Sequence, residues 1–446
     1  MLTLVLTLAM LLSVMVVGAG AAFSDQTSIK NTEAVDACTS LSIIGGYEDG
    51  TFRPNGNVTR AEMCKMICVA LNGGKEPTVG SNLTSTFNDV RGTADWAEKY
   101  IEYCVREKVV AGVGGGNFNP TGNVTGSQAA KMLLVILGYD PAIQGYVGSN
   151  AWELNINGDA AKKGLYAGLE TIDASAPLTR DSAARMIWNA LNAYEVEYKT
   201  TLVSNNGVLT SQVIVQDKVS DDSLRQRITL LEDKYEAHVA IGIFDGNHDT
   251  GDSSSATIKD GCIKITNVKI DGEAASDCTF KSDFDLKYIG EEVKVLYRNG
   301  QDGNNDILDE PDIIYGVFVT GNTTVYNIVK DDIQDVDSTA NKVKFNDTKY
   351  SYDPSGAIIY NYGAKTADTL ASLSSLEVAS GDTIKFIVDD ASGKIDTAYV
   401  MEYNIGKVTA LNSSKVSVSG VGTIDRDGNS IYDGIATGDV VVSCQM

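Results

Sequence analysis

Apolar residues recur at i, i+3, i+4, i+7 and i+8 in three separate stretches of the chain. They are Met63, Met66, Ile67, Ala70 and Leu71 in the first, and Ala129, Met132, Leu133, Ile136 and Leu137 in the second. In the third they are Ala183, Met186, Ile187, Ala190 and Leu191. This spacing lays one apolar stripe along one face of a helix, and three copies predict an internal repeat. Each stretch opens on a threonine, in Thr59-Arg60-Ala61-Glu62, Thr125-Gly126-Ser127-Gln128 and Thr179-Arg180-Asp181-Ser182. The first two predict a capping box, in which the threonine hydroxyl accepts from the third helical amide and Glu or Gln reaches back. The third has Ser182 at that place and keeps only the threonine cap, itself worth roughly 0.5–2 kcal/mol.

The repeat extends upstream. Val35 and Cys38 match Ile101 and Cys104 on an earlier one-sided helix. Next come Ile43-Ile44-Gly45-Gly46-Tyr47-Glu48-Asp49-Gly50-Thr51-Phe52-Arg53-Pro54 and its counterpart, residues 109–120, which closes on Phe118-Asn119-Pro120. Glycine-rich segments closed by proline predict tight turns or short hairpins. Each repeat starts with Phe-x-Asp, as Phe23-Ser24-Asp25 and Phe87-Asn88-Asp89.

From about Thr200 the period changes to two. Strands are expected at Val208–Val219, Ile263–Ile270, Glu292–Tyr297, Ile313–Val319 and Val416–Ser419, separated by Asp, Asn and Gly turns. A turn, an acidic residue and a strand recur at Gly290-Glu291, Gly381-Asp382 and Gly438-Asp439. The fold class is therefore multidomain, α then β: a helical N-terminal part followed by small antiparallel β-modules of sandwich or barrel type. The expected divisions are a signal peptide at 1–22, repeats at 23–80, 81–140 and 141–198 (the last degenerate), and β-modules at 199–330 and 331–446. The chain stops at a strand, so the last module is expected to be a truncated copy of a longer protein. Leu2 to Val17 is an apolar run that ends in Gly18-Ala19-Gly20-Ala21-Ala22, which reads as a cleaved secretion signal. No Lys or Arg precedes it, and the alternative is an uncleaved anchor.

Charge sharpens the picture. The net charge is -23, with 15 basic and 20 acidic residues up to residue 200, and 21 against 39 beyond. Such a balance excludes nucleic acid, which needs a basic footprint. Only His238 and His248 are present, so a histidine-based catalytic or zinc site has little material, and no enzyme activity is expected. Of the seven cysteines, Cys38, Cys64, Cys68 and Cys104 fall on helical faces and read as buried thiols, while Cys262 and Cys278 are left open to pairing. No cofactor is expected. Ca²⁺ is the one ion for which three acidic loops offer alternating oxygens, at Asp302–Asp306, Asp245–Asp249 and Asp425–Asn429. The first breaks the EF-hand pattern at Ile307 and Ile313.

These motifs together resemble the S-layer homology family: Phe87-Asn88-Asp89-Val90, Trp96-Ala97, Gly46-Tyr47-Glu48-Asp49-Gly50-Thr51-Phe52-Arg53-Pro54 and Thr59-Arg60-Ala61-Glu62. The likeness covers roughly residues 23–195. It implies a pseudo-threefold bundle whose grooves hold a secondary cell-wall polysaccharide, often pyruvylated. It also implies a secreted, wall-anchored surface protein of a bacterium, most simply a component of a self-assembling surface layer. Carried over by residue, the binding positions are Arg60, Arg180, Asp25, Asp89 and Trp96. A pyruvate ketal presents a carboxylate, which suits the planar fork of Arg; Arg60 is thus expected to be exposed and dispensable to the fold. Gly126 stands where Arg is expected, and the turn at Thr171–Pro177 lacks the glycine element, so fewer than three working grooves are expected. The alternatives are a wall-anchored adhesin, or a wall-anchored enzyme whose catalytic part lies in the β-half or beyond the chain.

Overall fold

The structure is a computed structural model that describes residues 23–78, 84–148, 150–205, 208–220, 226–247, 250, 258, 261–298, 313–361, 365–375, 382–426 and 435–444. The apolar run 1–22, the acidic loop 302–306, and parts of the other two acidic loops lie outside the described residues. The chain forms two compact units, one of residues 1–240 and 295–318, the other of 241–294 and 319–446.

In the first unit the helices are α1 (Thr32–Ser40), α2 (Arg60–Leu71), α3 (Glu98–Arg106), α4 (Gly126–Ile136), α5 (Trp152–Lys162), α6 (Arg180–Leu191) and a short α7 (Leu230–Tyr235); α5 and α7 add to the five that the sequence predicts. The capping boxes close α2 and α4 as the sequence implies, and Thr179 alone caps α6. A further box, Thr229 with Glu232, starts α7. The stripe residues are core: Met63, Ile67, Leu133, Leu137, Met186 and Leu191 are buried. Val35, Cys38, Ile101 and Cys104, on the earlier helices α1 and α3, join them.

The residues just before α2, α4 and α6 are tied to one another. The Val58 amide donates to the Leu178 carbonyl (2.9 Å), the Leu178 amide to Val124 (2.8 Å), and the Val124 amide to Val58 (2.9 Å), closing a ring. All three side chains are buried. The first amides of each helix have no intrahelical acceptor, and here they find one in the neighbouring repeat. Arg60 and Ala61 donate to Gly122 and Pro120, Gly126 and Ser127 to Ala176 and Ala174, and Arg180 and Asp181 to Gly56 and Pro54. The start of α2 thus meets the second repeat, that of α4 the segment before α6, and that of α6 the first repeat. Asp181 returns the tie by accepting from the Lys30 and Asn31 amides at 3.1 Å, ahead of α1.

The glycine-rich turns are shaped by the Phe-x-Asp element. A Cβ at Gly46 would come within 2.6 Å of the Phe23 ring, and one at Gly112 within 2.7 Å of Phe87. Those rings pack on Phe52 and Phe118, each with centroids 5.2 Å apart. The turn at Thr171–Pro177 has neither the glycine nor the phenylalanine. At Gly126 a Cβ would lie 2.9 Å from Ala174 Cα, so α4 starts directly against the backbone of the shortened turn. Gly126→Ala is expected to destabilise the chain by about 1–3 kcal/mol, the range for forcing extra volume into a packed site. Thermal unfolding would show it, and an unchanged melting temperature would mean the turn yields.

After α6 come the strands β1 (Val196–Asn205) and β2 (Val208–Asp217), which among the described residues pair only with each other. The chain then passes between the units through β3 (His238–Asn247), and again through β7 (Glu292–Arg298) and β8 (Ile313–Val319). In the second unit β4 (Cys262–Ile270) pairs antiparallel with β5 (Glu273–Ala274) and β6 (Cys278–Lys281). Cys262 faces Lys281 and Cys278 faces Ile265 in that register, so the two cysteines are offset along the strands.

A larger sheet follows the order β10-β11-β12-β15-β14-β9, with β13 on β12. These are β9 (Thr324–Val329), β10 (Asp335–Asp337), β11 (Lys342–Phe345), β12 (Thr348–Tyr360), β13 (Lys365–Thr369), β14 (Thr383–Asp389) and β15 (Lys394–Met401). A small sheet holds β16 (Tyr403–Leu411), β17 (Lys415–Val418), β18 (Gly422–Asp425) and β19 (Val440–Cys444). Among the described residues β12 and β15 depart from the antiparallel expectation and run parallel. The connection between them carries β13 and β14, far longer than the dozen residues a parallel crossover needs. Phe345, Phe386, Ile384 and Val400 fill this sheet's core.

The recurring turn-acid-strand phrase has a structural use. Lys385 of β14 is buried, and its Nζ donates to the carbonyls of Lys287 and Ile289 and to Glu291 Oε1 at 2.7–2.8 Å. Burial pushes its pKa down against the opposing pull of Glu291. Asp382, from the second copy of the phrase, accepts from the Tyr403 amide at 2.8 Å.

Candidate functional site

Arg60 and Arg180 open α2 and α6 and reach sideways into the next turn. Arg60 Nε donates to the Phe118 carbonyl and Nη2 to Ala111, both at 2.9 Å. Arg180 makes the same pair with Phe52 (2.9 Å) and Gly45 (2.8 Å). Each guanidinium also lies over the phenylalanine of that turn, at 4.4 Å from the Phe118 ring centroid and 5.0 Å from Phe52. The expectation of an exposed arginine is corrected here. Arg180 is only 5% exposed and Arg60 is half-buried, because both satisfy carbonyls that a glycine-rich turn leaves without partners.

Asp25 and Asp89 hold the same turns from the other side. Asp25 accepts from the Phe52 and Arg53 amides at 2.8 Å, and Asp89 from those of Phe118 and Asn119 at 2.7 Å. For Asp25 the Phe52 amide is the main cause that lowers its pKa. For Asp89 burial pushes the value up, but the Phe118 and Asn119 amides outweigh it and the net direction is down. A carboxyl whose folded pKa is depressed contributes stability that is complete above its unfolded value of about 4, and is lost as pH falls through the folded value. The melting temperature is expected to drop below about pH 4, and the drop should be shallower in an Asp25→Asn, Asp89→Asn double variant. Parallel acid profiles for the two proteins would show that these carboxyls do not carry it.

Trp96 sits in a single turn of 3-10 helix and is 50% exposed, with its ring centroid 6.3 Å from Tyr100. Tyr100 is hydrogen-bonded to Glu76, and Lys99 and Lys65 lie over its ring at 4.9 and 5.7 Å. Aligning the repeats places a basic residue five positions after each helix opening: Lys65, Lys131 and Arg185. Arg185 is engaged, donating to the Ala167 carbonyl and lying 3.8 Å from Glu33. Lys131 is half-buried and has no ion-pair partner among the described residues.

Lys131 and Arg60 line one cleft of about 260 Å³, together with Val113, Gln128, Tyr146 and Trp152. Burial, and then the Arg60 charge, push the Lys131 pKa down. Two cations thus share a small volume that contains no carboxylate, while Trp152 offers a half-exposed ring. The equivalent place beside Arg180 is occupied. Tyr47 packs against Arg180 and Arg53, 4.8 and 3.9 Å from its ring centroid, where the second repeat has Val113, which is 58% exposed. Sequence reasoning named Arg60 for this site and passed over Lys131, Gln128 and Tyr146. The five-residue offset to Lys131 was readable once the repeats were aligned. Cys64, Cys68 and Cys104 lie in the core, where burial pushes Cys68 up to about 12.

The S-layer homology domain family matches the chain at residues 22–64 and 86–130, which run from the Phe-x-Asp element through the glycine turn into the first turn of the capped helix in each of the first two repeats. The chain is 23% identical over 358 residues to a surface layer protein of Brevibacillus choshinensis, covering 74% of this chain and 29% of that protein. It is 25% identical over 173 residues to the middle cell wall protein of Brevibacillus brevis, covering 38% and 16%. It is 28% identical over 100 residues to a cellulosome-anchoring protein of Acetivibrio thermocellus, covering 22% of each. The chain therefore spans less than a third of each of these relatives.

Proposed function

We propose that this is a non-catalytic cell-surface protein held to the bacterial wall through its N-terminal helical unit, and a component of a surface layer. The two matched segments and the surface and wall proteins they resemble support that reading. Residues 141–198 act as the third repeat of a pseudo-threefold bundle. The support is the closed ring of Val58, Val124 and Leu178, in which each repeat gives one amide and one carbonyl.

The observation that carries the binding proposal is the cleft with Arg60, Lys131 and Trp152. Arg60 spends Nε and Nη2 on carbonyls and keeps Nη1 for a ligand. A carboxylate on a wall sugar, such as a pyruvate ketal, bridges Nη1 and Lys131 Nζ, while the sugar face stacks on Trp152. Asp25 and Asp89 position the turns, and the place beside Arg180 is closed by Tyr47. Trp96 marks a second, weaker platform. The test is sedimentation of the chain with purified sacculi before and after removal of their secondary polysaccharide. Binding that vanishes with the polysaccharide supports the proposal, and binding that survives stripping overturns it.

A further inference from the structure

The hairpin that follows α6 is, among the described residues, a sheet of two strands and nothing more. Its ten-residue strands pair in unbroken register from Val196↔Asp217 to Asn205↔Val208. A lone hairpin of this length is marginal in water, and each outer edge offers a row of unpaired amides and carbonyls. Among the described residues it is tied down at its base, where the Val196 amide donates to the Leu137 carbonyl at 2.7 Å and the Tyr198 hydroxyl accepts from the Asp140 amide at 2.7 Å. Beyond that, the pairs Leu202↔Ser211, Thr200↔Val213 and Tyr198↔Val215 share one face. Leu202, Val213 and Val215 on that face are 69%, 50% and 36% exposed.

The charge pattern selects the occupant. Residues 200–216 contain no Asp, Glu, Lys or Arg, in a chain of net charge -23. Two copies of so acidic a protein repel over most of their surfaces, and approach at least cost where both are uncharged. A charged partner would find nothing to pair with here.

We propose that β2 is the seam between two copies of this chain. The β2 strands pair antiparallel about a twofold axis at Val213, so that two hairpins become one four-stranded sheet. Only β2 suits the seam, because β1 carries Glu197 and Lys199. A twofold perpendicular to the sheet keeps each residue on its own face, so Val213 meets its copy directly across the seam and the two apolar stripes join. This inference rests on the reading of a self-assembling surface protein and names the surface that does it.

The experiment is sedimentation velocity on the chain from Phe23 onward, over rising concentration. The wild type is expected to shift from one copy to two. Val213→Lys and Val213→Glu are each expected to stay single, and an equal mixture of them to pair again. Circular dichroism and sacculus binding should be unchanged in both, since the side chain is exposed. A wild type that stays single at every concentration overturns the self-assembly reading together with the seam. A wild type that pairs while both variants pair equally well, or a mixture that stays single, overturns the seam alone. Loss of sacculus binding in all proteins would strike the wall reading and leave the seam result standing.

Discussion

Replacing Arg180 with alanine is expected to cost about 3–4 kcal/mol of stability and roughly 10 °C in melting temperature. The guanidinium is buried, and its two hydrogen bonds end on the carbonyls of Phe52 and Gly45. Truncation removes two charge-assisted bonds and leaves both acceptors without partners in a site that water cannot enter freely. It also removes the contacts with the Phe52 and Tyr47 rings. Arg180→Lys should recover only part of the loss, because an ammonium is a point charge and cannot span both carbonyls as the planar fork does. Calorimetry on the three proteins checks this. An alanine variant within about 0.5 kcal/mol of wild type, the range of an ordinary surface change, would show that the turn finds other donors.

The second large effect is on binding. Lys131→Glu is expected to weaken sacculus binding by at least tenfold, about 1.4 kcal/mol, with little change in melting temperature. The charge sits in a cleft with Arg60 and no carboxylate, so reversing its sign both removes one contact to an anion and occupies Arg60. Trp152→Ala should weaken binding without changing its salt dependence, whereas wild-type binding should fall as salt rises. Equal binding by Lys131→Glu and wild type would move the site elsewhere. Arg60→Ala is a poorer probe, since that side chain also holds the turn of the second repeat.

The helices, their caps and the strands were legible because each depends on residues a few positions apart. Thr59 and Glu62 declare their box within one turn, and Ser182 announces its loss. The part played by the arginines was not legible. Arg60 binds a carbonyl 58 residues away and Arg180 one 128 residues away, and a backbone oxygen leaves no mark in a sequence. The family resemblance put the arginines at the grooves, but could not say that their side chains were already engaged. Gly126 reads as a missing clamp. The structure gives the reason: the turn at Thr171–Pro177 has no phenylalanine or glycine to cage an arginine, and a Cβ at Gly126 would lie 2.9 Å from Ala174 Cα. The parallel β12–β15 pair was hidden for a different reason, since a period of two is the same for either strand direction.

The ring that joins Val58, Val124 and Leu178 also sets an order of events. A chain leaves the ribosome or an export channel with its N-terminus first, yet the first repeat takes Arg180 and Asp181 from the third. Until α6 has emerged, Asp25 alone of these side chains holds the turn at Gly45–Phe52, and the start of α1 lacks Asp181. The first repeat therefore stays incompletely tied until the third capped helix has been made. The start of α6, the last of the three capped helices along the chain, thus acts as the latch, and the helical unit closes only once Arg180 and Asp181 have been made.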